Sequence, residues 1–341
     1  MVEMKKKAKN IAVVAFFVLI FMPGCKQRPK GHYPEKNIFV YVFSSPGGGT
    51  DRWARHLSAL MEKELGVNIV CNNLPGAMGG TGAMKVWNAP HDGYTILGAS
   101  ETSMFFGVND VAPTAEQWEF FIAASSPGVL SVHNDSPYRT IQDLVQAAKS
   151  NPNKIKVSNS GQGKLWHIKV MQFEKGSAVE FQHVPYNGSV PAITALLSKE
   201  VDAVSCSAEE IVEYVRGGMI RPLIITDTVG IEFENFGFVK PAAEIYLDTK
   251  YGYENLFQWL GFLIPHDVPD EVLEVFGRAF DKAVNHDRTD ELIKGQKARK
   301  IGLCGKEAKE MALRMQSVAS WISKELGIAK KDPVELGIPR P

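Results

Sequence analysis

From residue 38 onward, short apolar runs and helical stripes alternate along the chain. Residues 38–43 (IFVYVF) read as a strand, and 51–65 as a helix whose apolar face is Trp53, Ala54, Leu57, Leu60, Met61 and Leu65. A second strand covers 67–71, a turn fills 72–82, residues 83–88 suffice for a short helix, and 94–99 form a third strand. This βαβαβ opening predicts parallel strands joined by crossover helices.

A second α/β run starts after the pair Pro127–Gly128. Thr140 is placed to cap a helix over 141–150, with Ile141, Leu144, Val145 and Ala148 on one face and Asn151–Pro152 ending it. Strands are expected at 155–158, 181–186, 201–205 and 221–226, with helices from Leu165, around Pro191 and over 208–215. After an irregular stretch, 227–255, comes one more strand, 258–264, and two helices, 270–284 and 307–326. The pattern predicts that these late elements complete the first domain, so that the chain crosses between domains twice. Domain 1 is then 33–129 with 256–341, and domain 2 is 130–255.

The beginning of the chain sets the compartment. Lys5, Lys6, Lys7 and Lys9 precede the apolar run 11–22, the order found in an export signal. That run is shorter than the about 20 residues a membrane-spanning helix needs. It ends in Met22–Pro23–Gly24–Cys25, which resembles the lipobox of bacterial lipoproteins, so residues 1–25 are expected to be removed up to an acylated Cys25. About 310 residues remain, enough for two domains of typical size.

Composition narrows the class of partner. The chain is 45% apolar and 22% charged with a formal net charge of zero, so no broad basic surface points to nucleic acid or an anionic membrane. Beyond Cys25 the cysteines are Cys71, Cys206 and Cys304, without CxxC spacing, which argues against a disulfide framework and a zinc site while leaving one bridge open.

The chemistry concentrates in loops. "SSPGGGTD" (44–51) leaves a strand and enters a helix, and in open α/β sheets ligands sit beyond the carboxyl ends of strands. Bare glycines let a ligand approach the backbone, and the first helical amides are unpaired donors, which suits an anion. A tight turn needing glycine only for its dihedrals is the plain alternative. The arrangement repeats in "SNSGQGKLWH" (158–167) and "VPYNGSVPA" (184–192). One such loop from the first domain and two from the second could close on a small anion.

The segments "YPEKNIFVYVFSSPGGGTDRWARHL", "NLPGAMGGTGA", "APHDGYTIL", "SGQGKLWHI" and "VPYNGSVPAITALLSKEVD" together resemble the successive signatures of the tripartite tricarboxylate transporter receptors, the Bug solute-binding proteins. The resemblance implies a two-domain α/β periplasmic-binding-protein fold, type II-like, with a ligand cleft between the domains. It also implies a small carboxylate held by loop amides, no cofactor, and two integral membrane subunits as partners; the receptor is expected to be a monomer, held to the membrane by the lipid expected at Cys25. Carried over, the first loop supplies Ser45, Pro46, Gly47, Gly48, Gly49, Thr50 and Asp51. The second supplies Gln162, Gly163, Lys164 and His167, and the third Asn187, Gly188, Pro191 and Ala192. Glu101, Ser103 and Ser205 line the cleft by position. Lys164 stands where a small hydroxyl residue is common, Ser205–Cys206–Ser207 replaces a stretch that usually carries an aromatic, and Leu74 replaces a frequent arginine. Plain readings stand beside these: Asp51 as a helix-start cap, Lys164 as a surface lysine, and His167 as a packing residue.

Enzyme motifs fail on single residues. A Walker loop would need glycine at 158 and a hydroxyl at 165, where Ser158 and Leu165 stand, and GxGxxG breaks at Arg52, Lys85 and Trp166. There is no HExxH and no GxSxG. The sequence therefore reads as an exported binding receptor for a small carboxylate, di- or tricarboxylate favoured, and not as an enzyme. An exported enzyme acting on a carboxylate, and a sensor subunit presenting its ligand, are the alternatives.

Overall fold

Strand β1 (Ile38–Val42) alternates buried and more exposed positions, and its inward set Ile38, Val40 and Val42 is fully covered. The cover is helix α1 (Gly49–Leu65), whose Trp53, Ala54, Leu57 and Met61 lie on the same stripe and pack into that cluster. Burying each such side chain contributes about 1.5–3 kcal/mol. The helix stops at Gly66, which takes the left-handed conformation and donates its N–H to Glu62 O. The computed structural model describes residues 33–245 and 256–341.

After α1 come β2 (Ile69–Asn73), α2 (Gly80–Trp87), β3 (Thr95–Ser100), β4 (Trp118–Ser126), β5 (Gly128–His133), α3 (Ile141–Ser150) and β6 (Lys156–Asn159). Next are α4 (Leu165–Ser177), β7 (Gln182–Pro185), α5 (Ser189–Leu197), β8 (Ala203–Ser207), α6 (Ala208–Arg216) and β9 (Ile220–Ile225). The chain ends with β10 (Ile231–Phe233), β11 (Gly237–Val239), β12 (Gln258–Pro265), α7 (Asp270–Val284), α8 (Asp287–Gln296), β13 (Arg299–Cys304) and α9 (Gly305–Glu325).

Two mixed sheets organise these elements. One is six-stranded in the order β13-β4-β12-β3-β1-β2, and the other five-stranded in the order β7-β6-β8-β5-β9. The parallel β3-β1-β2 core matches the expectation from periodicity. The chain passes from the first sheet to the second at Pro127, between β4 and β5, and β12 and β13 return to the first. We call the first sheet with its helices lobe 1 and the second lobe 2.

The structure departs from the sequence reading in three places. β4 and β5 were not expected, because eight of nine residues of β4 are buried and the period-two signal vanishes. Helix α8 lacks an apolar stripe, with Thr289 its one buried residue, and β13 is a short edge strand whose exposed positions are Lys300, Gly302 and Cys304. The stretch 227–255, expected to be irregular, holds the antiparallel pair β10–β11. Cys71, Cys206 and Cys304 are free thiols, so none of them pairs with another. The expected lipid site, Cys25, lies outside the described residues.

One apolar cluster joins the lobes. Leu165, Trp166 and Ile168 at the start of α4 pack with Phe43, Met104, Phe105 and Trp259 from lobe 1.

Candidate ligand-binding site

The carboxyl ends of β1 and β3 in lobe 1 meet the carboxyl ends of β6, β7 and β8 in lobe 2, and the sequence-predicted loops lie along this seam. Ser45 Oγ–H donates to Asn187 O across it at 3.2 Å. Gly163 comes within reach of lobe 1, where a Cβ on it would sit 3.6 Å from Met78. Glu101, directly after β3, and Lys164, the N-cap of α4, act on each other electrostatically across the same seam.

The three glycines of the first loop have different reasons. Gly47 has φ +80, the left-handed region that favours glycine. Gly48 is extended, and a Cβ there would meet Ser45 O at 3.5 Å, ordinary contact. At Gly49 a Cβ would lie 2.2 Å from Glu209 Oε1, so this glycine makes room for a carboxylate of the protein itself. Glu209 reaches over from the first turn of α6, is 2% exposed, and accepts Trp53 Nε1–H at 2.9 Å and an Arg52 N–H at 3.4 Å. Burial pushes its carboxyl up to about 7, against the pull of Arg52 and Trp53.

Its neighbour Glu210 accepts Gly49 N–H at 3.4 Å while its other oxygen accepts the Ser207 N–H at 3.2 Å and hydroxyl at 2.8 Å, capping α6. Asp51 accepts Gly47 N–H at 2.9 Å, Arg55 Nε–H at 2.9 Å and Asn73 Nδ2–H at 2.8 Å. The plain reading of Asp51 as a group that closes its own helix start agrees with this geometry. Two of the loop amides are thus engaged by side-chain carboxylates of the chain. Pro46 is exposed and Thr50 is buried in the first turn of α1.

In the second loop Gly163 N–H donates to His167 Nδ1 at 3.0 Å, and burial first, then the His183 ring, pushes His167 down to about 4. His167 is therefore a neutral imidazole at physiological pH, 4.8 Å from His183 in an edge-on contact. Gln162 is exposed. Lys164 is half-buried, and burial pushes its ammonium down while the Glu101 charge opposes that. In the third loop Gly188, at φ +113, donates to Ser160 O at 3.1 Å. Pro191 and Ala192 form the first turn of α5, Ala192 with its carbonyl accepting Ser158 Oγ–H at 3.0 Å. Ser205 Oγ–H donates to Trp166 O at 3.0 Å and Ser103 Oγ–H to Ser100 O at 2.9 Å, so both hydroxyls serve their own lobe.

Glu101 differs from these. It is 3% exposed, Oε1 accepts Thr102 Oγ1–H at 3.3 Å, and Oε2 has no hydrogen-bond partner among the described residues. Burial pushes its carboxyl up to about 8. Sequence reasoning missed Glu209 and Glu210. The signal was there in Ser207-Ala-Glu-Glu210, a hydroxyl residue followed three positions later by glutamate after a strand, which marks a helix start at a strand's carboxyl end. Among the described residues no cluster of His, Cys, Asp and Glu could hold a metal ion, and no helix is long and apolar enough to cross a membrane.

Two α/β lobes crossed twice by the chain and meeting at their strand ends define a periplasmic-binding-protein fold, the class of the solute-binding receptors. Residues 53–301 match the family described as "Tripartite tricarboxylate transporter family receptor", and the chain belongs to it. The UPF0065 protein of the tcbD–tcbE intergenic region of Pseudomonas sp. strain P51 is 30% identical over 257 residues, 74% of this chain and 75% of that protein. Periplasmic binding protein BugD superposes with a TM-score of 0.77 at 23% identity, over 88% of this chain and 100% of that one. A Rhodopseudomonas palustris protein with adipate gives 0.78 at 22% identity over 87% and 99% of the two chains. MatC of R. palustris with bound malate gives 0.68 at 20% over 86% and 98%.

Proposed function

We propose that this protein is an extracytoplasmic receptor that captures a small di- or tricarboxylate between its lobes and delivers it to a membrane transporter. The observation that carries this reading is the convergence of loops 44–51, 160–167 and 186–192 at one seam, with the half-buried Lys164 on it. Adipate and malate, each with two carboxylates, are bound by the two R. palustris neighbours, which supports a ligand of that class. In this reading the helix starts and those loop amides that the chain does not itself engage hold one carboxylate, and Lys164 meets the charge of a second. A charge-assisted hydrogen bond contributes about 1.5–3 kcal/mol, against roughly 0–1 kcal/mol for a solvated pair.

The working protein, in this reading, is a monomer whose lobe boundaries fall near residues 130 and 255, held to the membrane through acylated Cys25 and docking on two integral membrane subunits. The test begins with native mass spectrometry of the purified protein, expected to release a small acid. Calorimetric titration then compares Lys164→Ser with wild type, and a dicarboxylate should weaken by on the order of tenfold, about 1.4 kcal/mol, a matched monocarboxylate much less. Equal losses, or none, would remove Lys164 from the site. For the anchor, Cys25→Ser should release the protein from the membrane fraction of a lipoprotein-competent bacterium, and unchanged fractionation would sink that part.

A further inference from the structure

Among the buried polar atoms without a hydrogen-bond partner in the described residues, four stand at strand ends on the seam side of the two sheets. Ser44 Oγ follows β1, Glu101 Oε2 follows β3, Asn159 Nδ2 ends β6 and Thr226 Oγ1 follows β9, and none has a hydrogen-bond partner among the described residues. β6, β8 and β9 run in the same direction, so the lobe 2 members share one edge, as Ser44 and Glu101 do in lobe 1. Buried polar groups are ordinarily satisfied, so four orphans on the same seam mark a place where something polar is received. Three of them, the two hydroxyls and the Asn159 amide, can donate, as a carboxylate requires. Thr226 lies outside the loop motifs, and Asn159, within the motif 158–167, is not among the site residues carried over from it.

The fourth is a carboxyl oxygen, and because the two hydroxyls and the Asn159 amide already supply the donors a carboxylate requires, its partner is sought elsewhere on the ligand. We propose that Glu101 Oε2 receives a hydrogen-bond donor, a hydroxyl or an ammonium, carried on the carbon chain of the bound carboxylate, and that Asn159 Nδ2 donates to the carboxylate itself. This rests on the receptor reading above and narrows it: the ligand is a hydroxy- or amino-carboxylate, and its unsubstituted analogue is rejected. Rejection follows from burial. Glu101 is 3% exposed, and an unsubstituted chain would leave its oxygen unmatched with no water to replace the lost bond. Because burial holds the carboxyl protonated up to about pH 8, it can give a proton to a hydroxyl's oxygen as well as accept one, which favours the hydroxyl over the ammonium. Lys164, the cation across the seam, is set to neutralise the carboxylate end of such a ligand.

The test is a calorimetric panel of matched acids on the full-length protein: propionate, lactate and alanine; succinate, malate and aspartate; glutarate, 2-hydroxyglutarate and glutamate; tricarballylate and citrate. In the series that binds, the hydroxy or amino member should exceed the plain acid by about tenfold or more. Glu101→Met, similar in length and without a donor or acceptor of that strength, should bring the ratio near one. Glu101→Gln, which keeps the shape and an acceptor, should retain most of a hydroxyl preference, and Glu101→Leu, which removes both donor and acceptor, should abolish it and takes the place of the methionine variant if that does not fold. Equal binding of plain and substituted acids to wild type, or a preference that survives in Glu101→Met, overturns the inference and leaves the carboxylate-receptor reading standing. Failure of every acid in the panel to bind overturns both.

Discussion

Lobe 1 and lobe 2 each bring one deeply buried glutamate to the seam, and their surroundings differ. Glu209, from lobe 2, is met by donors of lobe 1, Trp53 and Arg52, and seats against the bare Gly49. Glu101, from lobe 1, has one oxygen held by its neighbour Thr102 and the other unengaged among the described residues. Burial pushes both upward, to about 7 and about 8. Burial alone therefore does not define what a carboxyl group does. Glu209 is a clasp between lobes because its hydrogen bonds are satisfied by the other lobe, whereas Glu101 is left to answer to something that arrives.

The harshest way to break this contrast is Gly49→Val. The new Cβ falls 2.2 Å from Glu209 Oε1, so the carboxylate must leave its donors, and the folded state should lose about 3 kcal/mol or more in urea unfolding. Wild-type stability in that variant would mean the clasp carries no weight. Glu209→Ala tests the same corner from the other lobe. It leaves Trp53 Nε1–H buried without its acceptor, an expected loss of about 1–3 kcal/mol, with a change in tryptophan emission as the indole hydrogen bond is lost.

Acidity sharpens the comparison. A carboxyl whose folded pKa is raised holds a proton that the unfolded chain has released above 4.5, so its contribution is fully present below that pH and is lost as pH rises to about 7 for Glu209 and about 8 for Glu101. His167 acts oppositely, but only as pH falls from 6.5 toward about 4, and Lys169, pushed down to about 8, acts above that. Between pH 6.5 and 8 the protein should therefore lose stability by about 1 kcal/mol per pH unit. Glu101→Gln should flatten this slope through the whole interval, and Glu209→Gln only in its lower part. A slope unchanged by both would remove the protonated carboxyls from the account. The smallest effect is expected at Gly48→Ala, whose Cβ meets only ordinary contacts, so unfolding should move by less than about 0.5 kcal/mol. A loss there as large as at Gly49 would show that the loop tolerates no side chain at all.

What could be read from the sequence follows from where the signals are local. Thr140 caps α3 as the pattern implied, with the Asp143 N–H donating to Thr140 Oγ1 at 3.2 Å, and α3 and α7 span the expected residues because both carry clean stripes. β4 escaped because nearly all of it is inside, and α8 because nearly all of it is outside. At the seam the glycine loop was legible but its occupant was not. Gly49 and Glu209 are 160 residues apart in the chain, and no periodicity links them. Lys164 and Glu101 could be placed at strand ends from sequence, whereas the orphaned oxygen of Glu101 is a property of the packing around it.

The apolar start of α4 has a thermal consequence. Leu165, Trp166 and Ile168 rest among the phenylalanines and Trp259 of lobe 1, so any parting of the lobes there wets that surface. Water around newly exposed apolar groups raises the heat capacity, and closing over a ligand reverses the change. If the ligand enters by lobe separation from a populated open form, its binding enthalpy grows more negative with each degree of warming. If the lobes are already shut before it arrives, the enthalpy stays nearly flat. The temperature dependence of a single titration thus distinguishes a clamp that closes on its cargo from one that is already closed.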